Sequence, residues 1–200
     1  MAITAEAVKA LREKTGAGMM DCKNALQESN GDFDKAIEYL RKKGASIAQK
    51  RSDKAANQGV IESYIHTGGR VGTLIELNCE TDFVAKTDDF KRLAKDLAMQ
   101  VAAMNPRYVS REDVDKAEID REVEIYKTQA KNEGKPDNIA EKIAEGRLDK
   151  FYQEVCLLEQ SFIKDSTKTV SDLLNEATAK IGENIKVSRF QVFHLGENSK

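Results

Sequence analysis

The apolar positions change period along the chain, and the changes divide it. Over the first 44 residues they recur at helical spacing, interrupted by glycine. Val8 and Leu11 follow Thr4, a residue able to cap a helix, and Thr15-Gly16-Ala17-Gly18 breaks the run. Asp21 can cap a second helix with Cys22, Ala25 and Leu26 on its apolar face. Asn30-Gly31 closes that helix, because glycine tolerates the left-handed conformation of a C-cap. Asp32 caps a third helix carrying Phe33, Ala36, Ile37 and Leu40; Lys42 and Lys43 suit its negative end, and Gly44 stops it. A bundle this small has little stability of its own, which marks 1–44 as an appended recognition module. Residues 45–58 are polar, basic and aperiodic, and read as a linker with some helix.

The period then falls to two. Val60 to Ile65 is rich in strand formers, and Val71, Thr73, Ile75 and Leu77 alternate with Gly72, Leu74, Glu76 and Asn78. Thr67-Gly68-Gly69-Arg70 between them predicts a β-hairpin. Helical spacing returns after Thr87-Asp88-Asp89, with Phe90, Leu93, Ala94, Leu97, Val101 and Met104 on one stripe that ends near Pro106. Ser110 and Asp113 have capping-box spacing at the head of a charged helix bearing Val114, Ala117, Val123 and Ala130. Gly134-Lys135-Pro136 reverses the chain. Asp137 opens a partner helix with Ala140, Ile143, Arg147/Leu148, Phe151 and Val155, giving a protruding helical hairpin over 110–165. A last helix starts near Thr169 and ends at Gly182, and Ile185 to His194 reads as a strand able to join the hairpin's sheet. Its alternation is imperfect, since Arg189 shares a parity with Ile185, Val187 and Phe193. The expected fold class is α+β: the N-terminal bundle (1–44), the linker (45–58), a core with about three antiparallel strands (59–109 and 166–200), and the helical hairpin (110–165).

Composition narrows the function. The 200 residues carry 32 Lys+Arg against 34 Asp+Glu, a net charge of −2. Residues 1–60 hold 11 basic and 8 acidic side chains, the remainder 21 and 26. Without a strong basic stripe or interleaved aromatics, direct nucleic-acid binding and RNA-dependent roles are disfavoured, as is an anionic membrane. No apolar run reaches the ~20 residues that span a bilayer. The N-terminus has no basic stretch followed by an apolar one, so no secretory leader is expected. Cys22, Cys79 and Cys156 are isolated, as are His66 and His194, which predicts reduced thiols packed as small hydrophobes in a cytoplasmic protein and no metal site. No phosphate-binding loop, dinucleotide fingerprint, HExxH or GxSxG is present, so no catalytic residue and no cofactor is assigned.

Two places stand out. Phe83 and Val84 lie in Glu80-Thr81-Asp82-Phe83-Val84-Ala85-Lys86, a connection where polar residues are usual. They are either a hydrophobic staple folded under the next helix or an exposed apolar wedge beside the Asp82 carboxylate. Met19-Met20 is either core filler or a soft contact surface.

Here a family resemblance enters. Leu11-Arg12-Glu13-Lys14-Thr15-Gly16-Ala17-Gly18-Met19-Met20-Asp21-Cys22-Lys23-Asn24-Ala25-Leu26 is similar to the N-terminal signature of the elongation factor Ts family. Glu76-Leu77-Asn78-Cys79-Glu80-Thr81-Asp82-Phe83-Val84-Ala85-Lys86 resembles its second signature, and Gly134-Lys135-Pro136, Ile143-Ala144-Glu145-Gly146-Arg147 and Lys180-Ile181-Gly182-Glu183-Asn184 resemble later segments. The resemblance covers nearly the whole chain. It implies a ubiquitin-associated-like N-terminal bundle and a non-enzymatic guanine-nucleotide exchange factor. The implied partner is elongation factor Tu, in GDP-bound and nucleotide-free forms. By the same resemblance, Phe83 wedges into the GTPase while Thr81, Asp82 and Val84 help dislocate its Mg²⁺, and Arg12, Met19 and Met20 dock the N-terminal bundle. Long members carry a second core copy. This chain has one, and Tyr64 to Gly72 looks like a blend of the two copies. That implies a homodimer in which His66, Ile181 and Gly182 of one subunit meet the GTPase beside the other's Thr81–Val84. The competing function is a non-catalytic adaptor or chaperone-like binder gripping a partner with the N-terminal bundle.

Overall fold

A computed structural model describes residues 3–197. Met1-Ala2, at the head of the expected bundle, and the last three residues of the expected core lie outside the described residues. Helices α1 (Ala5–Thr15), α2 (Met19–Glu28) and α3 (Phe33–Arg51) come first. The hairpin follows as β1 (Gln58–Ile65) and β2 (Val71–Cys79), then α4 (Asp82–Ala85) and α5 (Asp88–Met104). Helices α6 (Lys116–Asn132) and α7 (Asp137–Val155) lead to β3 (Ser161–Phe162) and β4 (Asp165–Thr169), then α8 (Val170–Ile181) and β5 (Lys186–His194). Mixed helix and a small three-stranded antiparallel sheet, ordered β1-β2-β5, make the fold α+β.

The chain forms two compact units. One comprises the described residues through Ile61 with Glu76–Ala94 and Ser171–Val187; the other comprises Glu62–Ile75, Lys95–Val170 and the chain from Ser188. The first contains the three-helix bundle, built on Val8, Leu11, Cys22, Ala25, Leu26 and Ala36, with Ile3, Phe33, Ile37 and Leu40 against it. Thr4 caps α1 by accepting from the Ala7 amide at 3.2 Å, and Asp32 caps α3 through the Asp34 and Lys35 amides. Asn30 and Gly31 both have positive φ, as the closure of α2 requires.

Asp21 does not cap α2. The helix begins at Met19 with Gly18 as its cap, and Asp21 sits in the first turn, paired with Lys43 at 2.7 Å. Gly44 does not stop α3, which runs to Arg51 and takes up part of the expected linker. The apolar stripe Ala36, Ile37, Leu40 continues through Gly44 to Ile47 and Ala48, and Gly44 is buried. A Cβ there would meet the Asn175 carbonyl at 3.7 Å and Ala179 at 3.8 Å, so α3 lies close along α8. Lys42 and Lys43 are mid-helix, pairing with Glu38 and Asp21 rather than with carbonyls at a helix end.

In the hairpin, Thr73, Ile75 and Leu77 are buried as the alternation requires. Gly59 (φ +153°) is a forced glycine: a Cβ there would lie 2.1 Å from the Leu77 carbonyl oxygen and 2.8 Å from Asn78 Cα. Thr87 starts α5 by accepting from the Phe90 amide, and Phe90, Ala94, Leu97, Ala98 and Val101 are buried along it.

In the second unit the Ser110–Asp113 capping box exists but tops only a 3₁₀ turn; α6 starts later, capped by Asp115. Helices α6 and α7 meet along Ala130, Ala140 and Ala144, all buried, with Arg147 bonded to Gln129 and Glu133 across the turn. At the hairpin's base, Arg111 bonds Glu159 through two nitrogens at 2.9 Å, and its guanidinium stands 4.6 Å from the Tyr152 ring centroid. The β3–β4 pair falls within and just beyond the expected 110–165 helical segment and is a strand element the periodicity did not show. Buried Gln100 fixes it, donating to Gln160 and the Ser161 carbonyl and accepting from the Ile163 amide at 2.8 Å. In β5 the covered face switches parity: Val187 is buried, then Phe190, Val192 and His194 are half-buried while Phe193 is exposed. The imperfect alternation read in the sequence is this switch at Ser188-Arg189.

Candidate functional site

Strand β2 ends at Cys79, whose thiol donates to the Thr81 carbonyl at 3.1 Å. The chain then bends into a single helical turn, α4. Thr81 is its N-cap; the hydroxyl accepts from the Val84 amide at 3.4 Å. Asp82 pairs with Lys86 one turn on at 2.6 Å, and this bond holds the Asp82 carboxyl below its ordinary value. Ala85 is buried and Val84 half-buried, so that side of the turn faces inward. Phe83 points the other way and is 79% exposed, the most exposed large apolar residue described. Lys86 lies 6.0 Å from its ring centroid. The staple alternative fails for Phe83: Val84 and Ala85 do the inward packing, leaving the aromatic ring in solvent.

The turn is fixed from behind by residues about a hundred positions away. The Glu183 carboxylate accepts from the Glu80 amide (3.1 Å), the Thr81 amide (3.0 Å) and the Thr81 hydroxyl (2.7 Å). Glu80 in turn accepts from the Asn184 amide at 2.6 Å and from Arg51 at 2.7 Å. These bonds, the Asn184 amide first, hold the Glu80 carboxyl below its ordinary value. The Asn184 side chain donates to the Ser52 and Lys54 carbonyls, tying the chain after α3 into the same cluster. Gly182 and Ile181 thus lie one and two residues from Glu183, which bonds Thr81 of their own chain, whereas the sequence reading set them beside the Thr81–Val84 of a second copy.

The remaining expected residues are at other places. Arg12 is exposed on α1; Met19 and Met20, at the start of α2, are 49% and 63% exposed, which removes core filler as their role. His66 is exposed at the end of β1, its Nδ1 3.2 Å from the Tyr64 hydroxyl. The sequence reading missed Arg51, Glu80, Glu183 and Asn184 as supports. For Glu183 and Asn184 the only local signal was a run of polar residues just past the helix-ending Gly182. Cys22, Cys79 and Cys156 are free and buried. Burial pushes the Cys156 thiol up to about 11 and raises Cys79 as well. Among the described residues, no group of three or more His, Cys, Asp or Glu could hold a metal, and no helix is long and apolar enough to cross a membrane.

The pattern of the family described as Elongation factor TS matches residues 1–197. The chain belongs to the elongation factor Ts family. It is 60% identical over 195 residues to Elongation factor Ts of Thermoanaerobacter sp. (strain X514), covering 98% of this chain and 96% of that one. Elongation factor Ts of Moorella thermoacetica is 63% identical with the same coverage, and that of Syntrophus aciditrophicus is 59% identical over the full length of both chains. As a member of the elongation factor Ts family, the chain is a guanine-nucleotide exchange factor of translation elongation.

Proposed function

We propose that the chain releases GDP from elongation factor Tu by inserting Phe83, with Thr81, Asp82 and Val84, beside the GTPase's Mg²⁺ and phosphate site. The observation that carries this reading is the ring of Phe83, 79% exposed on a turn whose other side is packed and bonded. An aromatic ring left in water is an unfavourable arrangement for the free chain, and burial against a partner gains what the fold leaves unused. GDP on such a GTPase is held by phosphate contacts and Mg²⁺, the largest local charge in the site. Only a difference in affinity between the nucleotide-bound and nucleotide-free states shifts that equilibrium. A rigid apolar group that fits only the nucleotide-free form supplies that difference, and the Asp82 carboxylate beside it brings negative charge toward a site that needs its cation. The chain performs no covalent step, needs no cofactor or metal of its own, and works in the cytoplasm.

Arg12 and the exposed Met19-Met20 form the docking surface for a helix of the GTPase. The adaptor reading accounts for this surface alone and leaves Phe83 without a use. The working unit is a homodimer. Ile65, Leu74, Phe193 and Leu195 are exposed and line a groove with Ser63 and Gly72 in the second unit, an apolar sheet surface that one copy leaves uncovered. His66, beside this groove, contributes to the GTPase contact in trans. Sedimentation equilibrium tests the dimer: a purely monomeric chain with full exchange activity contradicts it.

The Mg²⁺ part is tested by measuring the acceleration of GDP release with Mg²⁺ present and after chelation. A smaller acceleration without Mg²⁺ is expected, since part of the barrier is then already gone. Equal acceleration in both conditions rejects the Mg²⁺ step.

A further inference from the structure

We infer that Glu183 is a positioning residue for exchange: its carboxylate fixes the turn that presents Phe83. The inference rests on the reading of Thr81–Val84 as the acting segment. A helix of one turn cannot hold its own orientation, because nucleation is costly and isolated short helices are marginal in water. The backbone support within α4 is correspondingly thin, with the Val84 amide 3.4 Å from the Thr81 hydroxyl and the Ala85 and Lys86 amides 3.3 Å from their carbonyls, and the one short bond along it is the exposed Asp82–Lys86 pair. The outside support is stronger. Three donors converge on Glu183, two backbone amides on Oε2 and the Thr81 hydroxyl on Oε1 at 2.7 Å. Hydrogen bonds to an ionised acceptor are shorter and stronger than neutral ones.

The arrangement is directional. With the Thr81 hydrogen committed to Glu183, the oxygen's lone pairs are left for the Val84 amide, so the cap points the right way. It is also reciprocal: Glu80 donates its amide to Glu183, and Asn184 donates its amide to Glu80, with Arg51 supplying the cation. Two adjacent pairs of residues from distant parts of the chain therefore interlock behind the turn, and no bond in this lock involves the face carrying Phe83. A carboxylate suits this place because it is acceptor-only on both oxygens. A Gln amide can satisfy one side and presents N–H groups to the other.

The experiment measures saturating exchange rate and half-saturating concentration on elongation factor Tu loaded with fluorescent GDP. It compares the full chain with Phe83→Ala, Glu183→Ala, Glu183→Gln and the Phe83→Ala/Glu183→Ala double variant. Misplacement of a working group by about 1 Å can cost up to roughly 100-fold, so Glu183→Ala should lower the saturating rate roughly tenfold or more. Its half-saturating concentration should change little, because Arg12, Met19 and Met20 are untouched, and Glu183→Gln should fall between Ala and wild type. The decisive result is non-additivity: the double variant should be no slower than the slower single, since an ill-held Phe83 and an absent one are equivalent. Additive losses, or wild-type exchange by Glu183→Ala while Phe83→Ala is slow, overturn the inference. Wild-type exchange by Phe83→Ala overturns the reading of the segment itself, a separate outcome. If Glu183→Ala does not fold, Glu183→Gln, which leaves the Thr81 hydroxyl and its cap of the Val84 amide in place, must show the same non-additivity with Phe83→Ala.

Discussion

Phe83→Ala separates a wedge from a core residue, and its size can be worked out. Burying a Phe side chain fully is worth ~1.5–3 kcal/mol. Phe83 is 79% exposed, so about a fifth of that is realised in the free chain. Truncation should therefore cost ~0.3–0.6 kcal/mol of stability on that scale. At ~2–4 °C per kcal/mol for a chain of this size, the melting temperature moves by no more than about 2 °C. The other four-fifths, ~1.2–2.4 kcal/mol, is available only against the partner and corresponds to roughly 8- to 60-fold in exchange rate. The assay pairs thermal unfolding followed by circular dichroism with GDP release from elongation factor Tu at saturating chain. A core Phe→Ala typically costs ~3–5 kcal/mol, so a melting temperature lowered by more than roughly 6 °C refutes the reasoning. An unchanged exchange rate refutes it from the other side.

Three further outcomes follow from the fold. Gly59→Ala should lose on the order of 3 kcal/mol, because the new Cβ meets backbone at 2.1 Å and the residue is held at φ +153°; a denaturant midpoint equal to wild type contradicts this. Gly44→Ala should gain ~0.5–1 kcal/mol, since the methyl finds ordinary contacts at 3.7–3.9 Å inside a helix where Ala is the better former; loss of stability in urea unfolding shows that α3 and α8 are closer than described. The Glu80 carboxyl is lowered from its ordinary 4.5, so its contribution is fully present above that value and disappears as pH falls through the folded one; melting measured from pH 7 to pH 3 should show a shallower acid loss in Glu80→Gln than in wild type, and identical slopes contradict it.

What the sequence made legible follows from the range over which each signal acts. The Gly-Gly turn, the alternation of Thr73, Ile75 and Leu77, and the caps Thr4, Asp32 and Thr87 are local, and all three kinds of signal led to the right elements. Gly44 misled because glycine at a helix end and glycine under a crossing helix look alike along the chain. The stripe through Ile47 and Ala48 was the evidence for continuation, and it also means that removing residues 1–50 would cut inside a helix that packs on α8 rather than detach a free module. The β3–β4 pair escaped because two-residue Ser161–Phe162 has no period to read, and its anchor, Gln100, is sixty residues upstream. At the site, Phe83 was legible as an anomaly but its direction was not, because the choice between staple and wedge depends on which of Phe83, Val84 and Ala85 faces the core. Glu183 was invisible as a support: it meets Thr81 across 102 positions, a distance that no spacing rule spans.

The most direct test of the account is the release of fluorescent GDP from preloaded elongation factor Tu in a stopped-flow instrument, with unlabelled GDP in excess and this chain added over a range of concentrations. The account predicts a release rate that rises with the chain and saturates, with no phosphate produced by the chain alone. A release rate unchanged at the highest concentration, from a chain shown to be folded, contradicts it.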